Sequence, residues 1–166
     1  MSEPTPKDPG QAVPEREMLL EFLDFFRSVM IRKIEGLDHD GLRMSPVGSG
    51  TCLGGLLKHL AYVERWWFQA FFASREVDFP WTEEDPDADF RVSEDDTAES
   101  LIALYRRECD VSREVVGETA DLDVSVPGRR GDVTLRWILI HMVEETARHA
   151  GHADLIREMV DGSVGD

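Results

Sequence analysis

The sequence predicts an all-α protein, a four-helix bundle with a long connection between its second and third helices. Three observations carry that prediction. Apolar residues recur at spacings of three and four in four separate stretches, the period of a helix with one buried face. Between the second and third stretches lie about two dozen residues rich in acids and proline, without such a period. The chain has 166 residues, of which 42% are hydrophobic, enough for one domain with a full core.

Residues 1–14 hold Pro4, Pro6, Pro9, Gly10 and Pro14 with few apolar side chains, and are expected to be a flexible tail. The folded domain is expected to span residues 15–162. From Glu15, Leu19, Leu20, Leu23, Phe26, Met30 and Ile34 define the first helix. Gly36 and Gly41 bracket its end, and Pro46, Gly48 and Gly50 make a loop. Ser49 or Thr51 is the expected cap of a second helix running to about Ala73. Its buried face is read as Cys52, Leu56, His59, Leu60, Val63, Trp66, Trp67 and Ala70. The connection at 74–96 lacks the glycine and terminal glutamate of a calcium-binding loop. Its Phe79, Trp81 and Phe90 suggest that it packs back onto the body. Thr97 signals the start of a third helix, carried by Leu101, Leu104, Tyr105, Glu108, Val111 and Val115 to about Gly117. Asp121 to Val126 alternates as a short extended segment does. A turn follows at Pro127–Asp132, where Arg129 and Arg130 are a candidate anion contact without the glycines of a phosphate cradle. The last helix is expected from Val133 to about Val160, stopped by Gly162.

That last helix carries the chemistry. Glu145 and His149 are four apart, hence on one face and about one turn from each other. At about 100° per residue, Ile138 and Ile156 fall on the same line, so a carboxylate and an imidazole point toward the core. Burying such a pair is costly unless something compensates it. A divalent metal does so economically, since two histidines, one glutamate and water form an open zinc site. The third ligand must come from another helix. His59 lies on the inward line of the second helix; alone it reads as a core histidine, but the Glu145–His149 pair raises the ligand reading above that. His141 and His152 flank the pair toward the polar side, with Arg148 between them in angle. Arg148 either pairs with Glu144 in a salt bridge or meets an anionic ligand.

The net charge of −16 leaves no basic face for a phosphate backbone or an anionic membrane, so neither nucleic acid nor membrane is an expected partner. Cys52 and Cys109 form no metal motif and no disulfide framework, and read as buried free thiols. No signal peptide, twin-arginine leader or membrane-length apolar run appears, which points to the cytoplasm.

Two stretches are familiar. Gly54-Gly-Leu-Leu-Lys-His59-Leu-Ala-Tyr-Val-Glu64 resembles the second-helix histidine motif of the DinB/YfiT-like superfamily. Leu135–His141 and Glu144–Asp154 resemble the last-helix motif of its DUF664 branch, and Glu84-Asp-Pro-Asp-Ala-Asp-Phe90 joins the likeness, which spans roughly residues 15–162. The resemblance implies a four-helix bundle with one divalent metal, zinc or nickel, held by three side chains. In many members both last-helix ligands are histidines four apart. Here the first of those positions is Glu145 and the second is His149. Mycothiol-dependent maleylpyruvate isomerase-like proteins share that departure, and the His59–Glu145–His149 set leans toward them.

The resulting expectation is a thiol-dependent S-transferase or isomerase. Its partners would be a small-molecule thiol, such as mycothiol, bacillithiol or glutathione, and a small electrophile. His152, His141 and Arg148 would orient ligands or move protons beside the metal. Two alternatives remain open: a metal-dependent hydrolase, with metal-bound water in place of the thiol, and a non-catalytic metal- or ligand-binding bundle. Proteins of this family often pair, and the tryptophan-rich end of the second helix offers apolar surface for a homodimer.

Overall fold

The computed structural model describes residues 7–164, and the protein is mostly helical. Pro4 and Pro6 of the expected tail lie outside the described residues. Residues 7–14 hold no helix or strand, and Gly10 N–H donates to Glu21 Oε2 at 2.6 Å.

Helix α1 spans Glu15–Ile34, with Glu15 and Glu17 in its first turn and Arg32 and Lys33 in its last, the polarity that the helix dipole favours. Gly36 takes φ +76 just beyond it. A short helix α2, His39–Arg43, follows, capped by the Asp38 carboxylate, which accepts from Gly41 N–H. Gly41, expected to bracket the end of the first helix, lies inside this short helix, whose five residues are too few to show a period. Helix α3 spans Leu53–Glu64 and continues as a π-helix over Arg65–Phe72. Helix α4 spans Ala98–Glu118, opened by a reciprocal cap in which Thr97 and Ser100 bond each other's backbone N–H. Helix α5 spans Leu135–Asp161 and ends on Gly162 at φ +79. Of the long helices, α1 packs most extensively on α5, and α3 on α4; α3 also meets α1 and α5.

Three local expectations are corrected. The cap of α3 is Cys52, without a side-chain bond, while Ser49 and Thr51 bond each other instead. Val133 and Thr134 close a strand rather than open α5, and Gly131 and Asp132, read as part of the turn, begin that strand. Strands β1 (Ser125–Gly128) and β2 (Gly131–Thr134) form an antiparallel hairpin with Val126 opposite Val133, and the Thr134 hydroxyl then caps α5 by accepting from Trp137 N–H. Trp66, expected on the buried face, is 43% exposed. It lies in the π segment, whose wider turn breaks the 100° spacing used to place it.

The core falls into two apolar clusters. One joins the C-terminal halves of α1 and α5 to α2, the body of α3 and the first half of α4. The other joins Leu23, Phe68, Val115, Val116 and Leu122 to the first turns of α5. Near their junction each long helix carries a buried polar side chain: Arg27, Glu64, Ser112 and Thr146. Arg27 Nε and Nη2 donate to the two carboxylate oxygens of Glu64 at 2.8 and 2.6 Å, and Nη1 donates to Asp24 at 2.8 Å. Cys52 and Cys109 are buried free thiols, and burial pushes the thiol of Cys109 far above its ordinary range. No described helix is long and apolar enough to cross a membrane.

Candidate metal centre

Helices α3 and α5 bring His59, Glu145 and His149 together, the three residues selected from the sequence. One ligand atom from each lies within 4.8 Å of the others. His149 Nε2 stands 3.1 Å from Glu145 Oε1, and His59 Nε2 stands 3.6 Å from the same oxygen. The two imidazoles meet edge to face at 5.2 Å. Side-chain exposures of 16, 14 and 12% for His59, Glu145 and His149 leave the group recessed yet in contact with solvent.

The electrostatics follow from this crowding. The hydrogen bond with His149, and then the neighbouring His59 imidazole, hold the Glu145 carboxyl well below the usual carboxylate range, against the effect of burial. Burial works against a charge on His59, but its bond to Asp89 and the neighbouring Glu145 carboxylate prevail and raise its pKa. Without a metal, one carboxylate oxygen therefore serves two imidazoles.

Sequence reasoning missed Asp89 and Phe90 as parts of this site. Asp89 is 4% exposed, on a single 3₁₀ turn, Ala88–Phe90, within the long connection. Its Oδ2 lies 2.7 Å from His59 Nδ1. Phe90 stacks on the His59 ring at 3.9 Å and 17°. The connection does pack back onto the body, as its aromatics suggested. Phe79 stacks on Trp81 at 4.4 Å and meets Trp66 at 5.9 Å, and Trp81 meets Tyr62 at 6.0 Å. A lone buried acid among nine others in the connection at 74–96 gave no periodic signal.

The three flanking residues surround the group unequally. Arg148 pairs with Glu144, the salt bridge expected from their spacing, and also reaches Glu145 Oε2 at 3.3 Å. His152 is exposed and meets the His149 ring at 5.5 Å. His141 stands one turn before Glu145, stacked on Trp137 at 5.1 Å and edge-on to Trp67 at 4.9 Å, with Nδ1 3.8 Å from Glu144. Arg129 and Arg130 are exposed on the hairpin turn, remote in sequence from these residues.

The donor set fits a divalent cation. Two imidazoles and one carboxylate supply three ligands of the types that zinc takes in open sites. The Asp89 bond leaves Nε2 of His59 facing Glu145. His149 Nδ1 is buried without a hydrogen-bond partner, so its Nε2 contact is the one that orients the ring. Among the described residues this is the group whose ligand atoms converge in this way.

The sequence pattern of the family described as mycothiol-S-transferase matches residues 18–162. No curated protein matches the chain. Among solved structures, a conserved protein from Enterococcus faecalis is similar, with a TM-score of 0.74 and 16% identity over 92% of this chain and 100% of that one. That likeness is one of fold. The match covers most of the chain, and the protein belongs to the mycothiol-S-transferase family, a DinB/YfiT-like family.

Proposed function

We propose that this member of the mycothiol-S-transferase family is a metal-dependent thiol S-transferase built on a DinB-type four-helix bundle, acting in the cytoplasm on a small electrophile. The observation that carries the reading is the convergence of His59, Glu145 and His149 from two helices at a recessed position in contact with solvent. The family match favours a thiol over water as the second ligand, and so favours transfer over hydrolysis.

His59, Glu145 and His149 would hold the ion, zinc or nickel, with Glu145 supplying the negative charge. When bound, the ion would supply the positive charge that keeps a thiol deprotonated at neutral pH, below the free value of about 8.5. A thiolate so formed would bond through sulfur to an electrophilic carbon, and the leaving group would depart with the electron pair of the bond that breaks. Arg148 and His152, at the rim, orient polar groups of the thiol. His141 turns Nδ1 toward Glu144 and keeps Nε2 for holding or moving a proton. Phe90 covers one face of the His59 ring and limits the access of water there. The exposed Trp66 and Trp137 leave apolar surface for the homodimer that this reading expects.

Elemental analysis of untagged protein should give one divalent ion per chain. The metal-loaded form should consume an electrophile with mycothiol, bacillithiol or glutathione at pH 7, and lose that activity on chelation. Metal-loaded protein inert toward all three thiols would overturn the transferase reading in favour of the hydrolase or a binding bundle. Light scattering at micromolar concentration reads the dimer, and a monomeric mass would exclude it.

A further inference from the structure

The consecutive glycines at the start of α3 lie against the end of the acidic run, at Phe90. Glycine inside a helix costs roughly 1 kcal/mol relative to alanine, so two in a row call for a reason. The structure supplies it. A Cβ on Gly55 would lie 2.2 Å from the Phe90 carbonyl oxygen, and one on Gly54 would lie 2.7 Å from Val92 Cγ2. The Phe90 carbonyl and the Val92 side chain are thus laid directly on the helix, closer than a side chain at Gly54 or Gly55 allows. Lys58, one turn further along, fastens the same segment by donating to Arg91 O at 3.0 Å and to Asp96 Oδ2 at 2.8 Å.

This seating sets the height at which Asp89 and Phe90 meet His59. Asp89 engages Nδ1 of that ring and Phe90 covers its face, which leaves Nε2 directed at Glu145. A buried carboxylate on the far nitrogen of a histidine fixes the tautomer and orientation that metal ligation needs. We propose that Asp89 is the positioning residue for His59, and that Gly55 and Phe90 are the seat that delivers it. This rests on the metal reading above and adds to it a third chain segment, residues 88–92.

The test uses full-length Asp89→Asn and Gly55→Ala with the wild type. Zinc affinity is measured by chelator competition, the His59 tautomer by nitrogen NMR of the metal-free protein, and melting temperature serves as the fold control. Asp89→Asn should weaken zinc binding about 10- to 100-fold, the usual loss on removing an outer-shell partner. It should also remove the protonated Nδ1 signal of His59 while retaining a cooperative melt. Gly55→Ala should weaken zinc binding in the same direction, although it touches no ligand. Wild-type zinc affinity in Asp89→Asn, or an unaltered His59 spectrum, would overturn the role of Asp89 and leave the metal reading standing. Wild-type protein that takes up no zinc or nickel would sink the metal reading, and this role with it. If Gly55→Ala does not fold, the Asp89→Asn comparison decides alone.

Discussion

Two of the recessed polar groups among the described residues are built on opposite principles. The Arg27–Glu64 pair is closed: both carboxylate oxygens face the guanidinium, Asp24 takes a third N–H, and all partners come from the chain. The His59–Glu145–His149 group is open. Two imidazoles share one carboxylate oxygen, and a buried nitrogen of His149 has no hydrogen-bond partner. A closed group holds helices in register at a cost in desolvation that its own bonds offset. An open one keeps lone pairs directed at a common point, where a cation would complete it. Burial and polarity alone would not separate the two groups; the count of partners around each atom does.

The contrast can be broken most forcefully at the open group. The double variant His59→Ala/His149→Ala should abolish stoichiometric metal uptake, read by elemental analysis, and retained full metal would refute the site. At the closed group, Glu64→Gln should leave the buried Arg27 charge with only the half-exposed Asp24 as an acidic partner. It should cost about 3–5 kcal/mol by denaturant unfolding, with metal stoichiometry preserved in the folded fraction. Next in size is Glu145→Gln, which removes the only ligand charge. It should lower metal affinity by more than about 100-fold, exceeding the loss of about 10- to 100-fold expected for an outer-shell change.

A milder test uses Glu108, a second closed carboxylate, which accepts from Arg65 at 2.7 Å and Gln69 at 2.7 Å. Burial pushes its pKa up, but these bonds prevail and hold it below the ordinary value. With a depressed folded pKa, its stabilisation is present above the unfolded value of about 4.3 and is lost as pH falls through the folded one. The difference in melting temperature between wild type and Glu108→Gln should therefore be widest near neutrality and narrow below about pH 4. The smallest effect on the site belongs to His152→Ala. It should slow thiol transfer while leaving metal content unchanged; lost metal would move His152 among the ligands.

The long helices were legible because each buries one face, and three-four spacing survives any detail of packing. The convergence of His59 with Glu145 and His149 was legible for a related reason: charged groups on inward lines of two helices need each other. Two kinds of feature were hidden. The π segment at Arg65–Phe72 breaks the spacing assumption itself, so Trp66 was placed inside and lies largely outside. Asp89 depends on the close approach of two segments some thirty residues apart, and its own neighbours in sequence are other acids. The glycine pair at 54–55 was in plain view as part of a motif, but its reason is a backbone that only the folded chain brings near.

That seating changes how the molecule can be redesigned. A connection of some two dozen residues between helices is ordinarily the first place to shorten, graft or exchange. Here the stretch from Asp89 to Val92 and the helix face at Gly54 and Gly55 are complementary surfaces, each shaped to the absence or presence of atoms on the other. A chimera that takes α3 from one relative and the connection from another would set a side chain against a carbonyl, or leave a gap beneath His59. The two segments form one transferable unit, despite the distance between them along the chain.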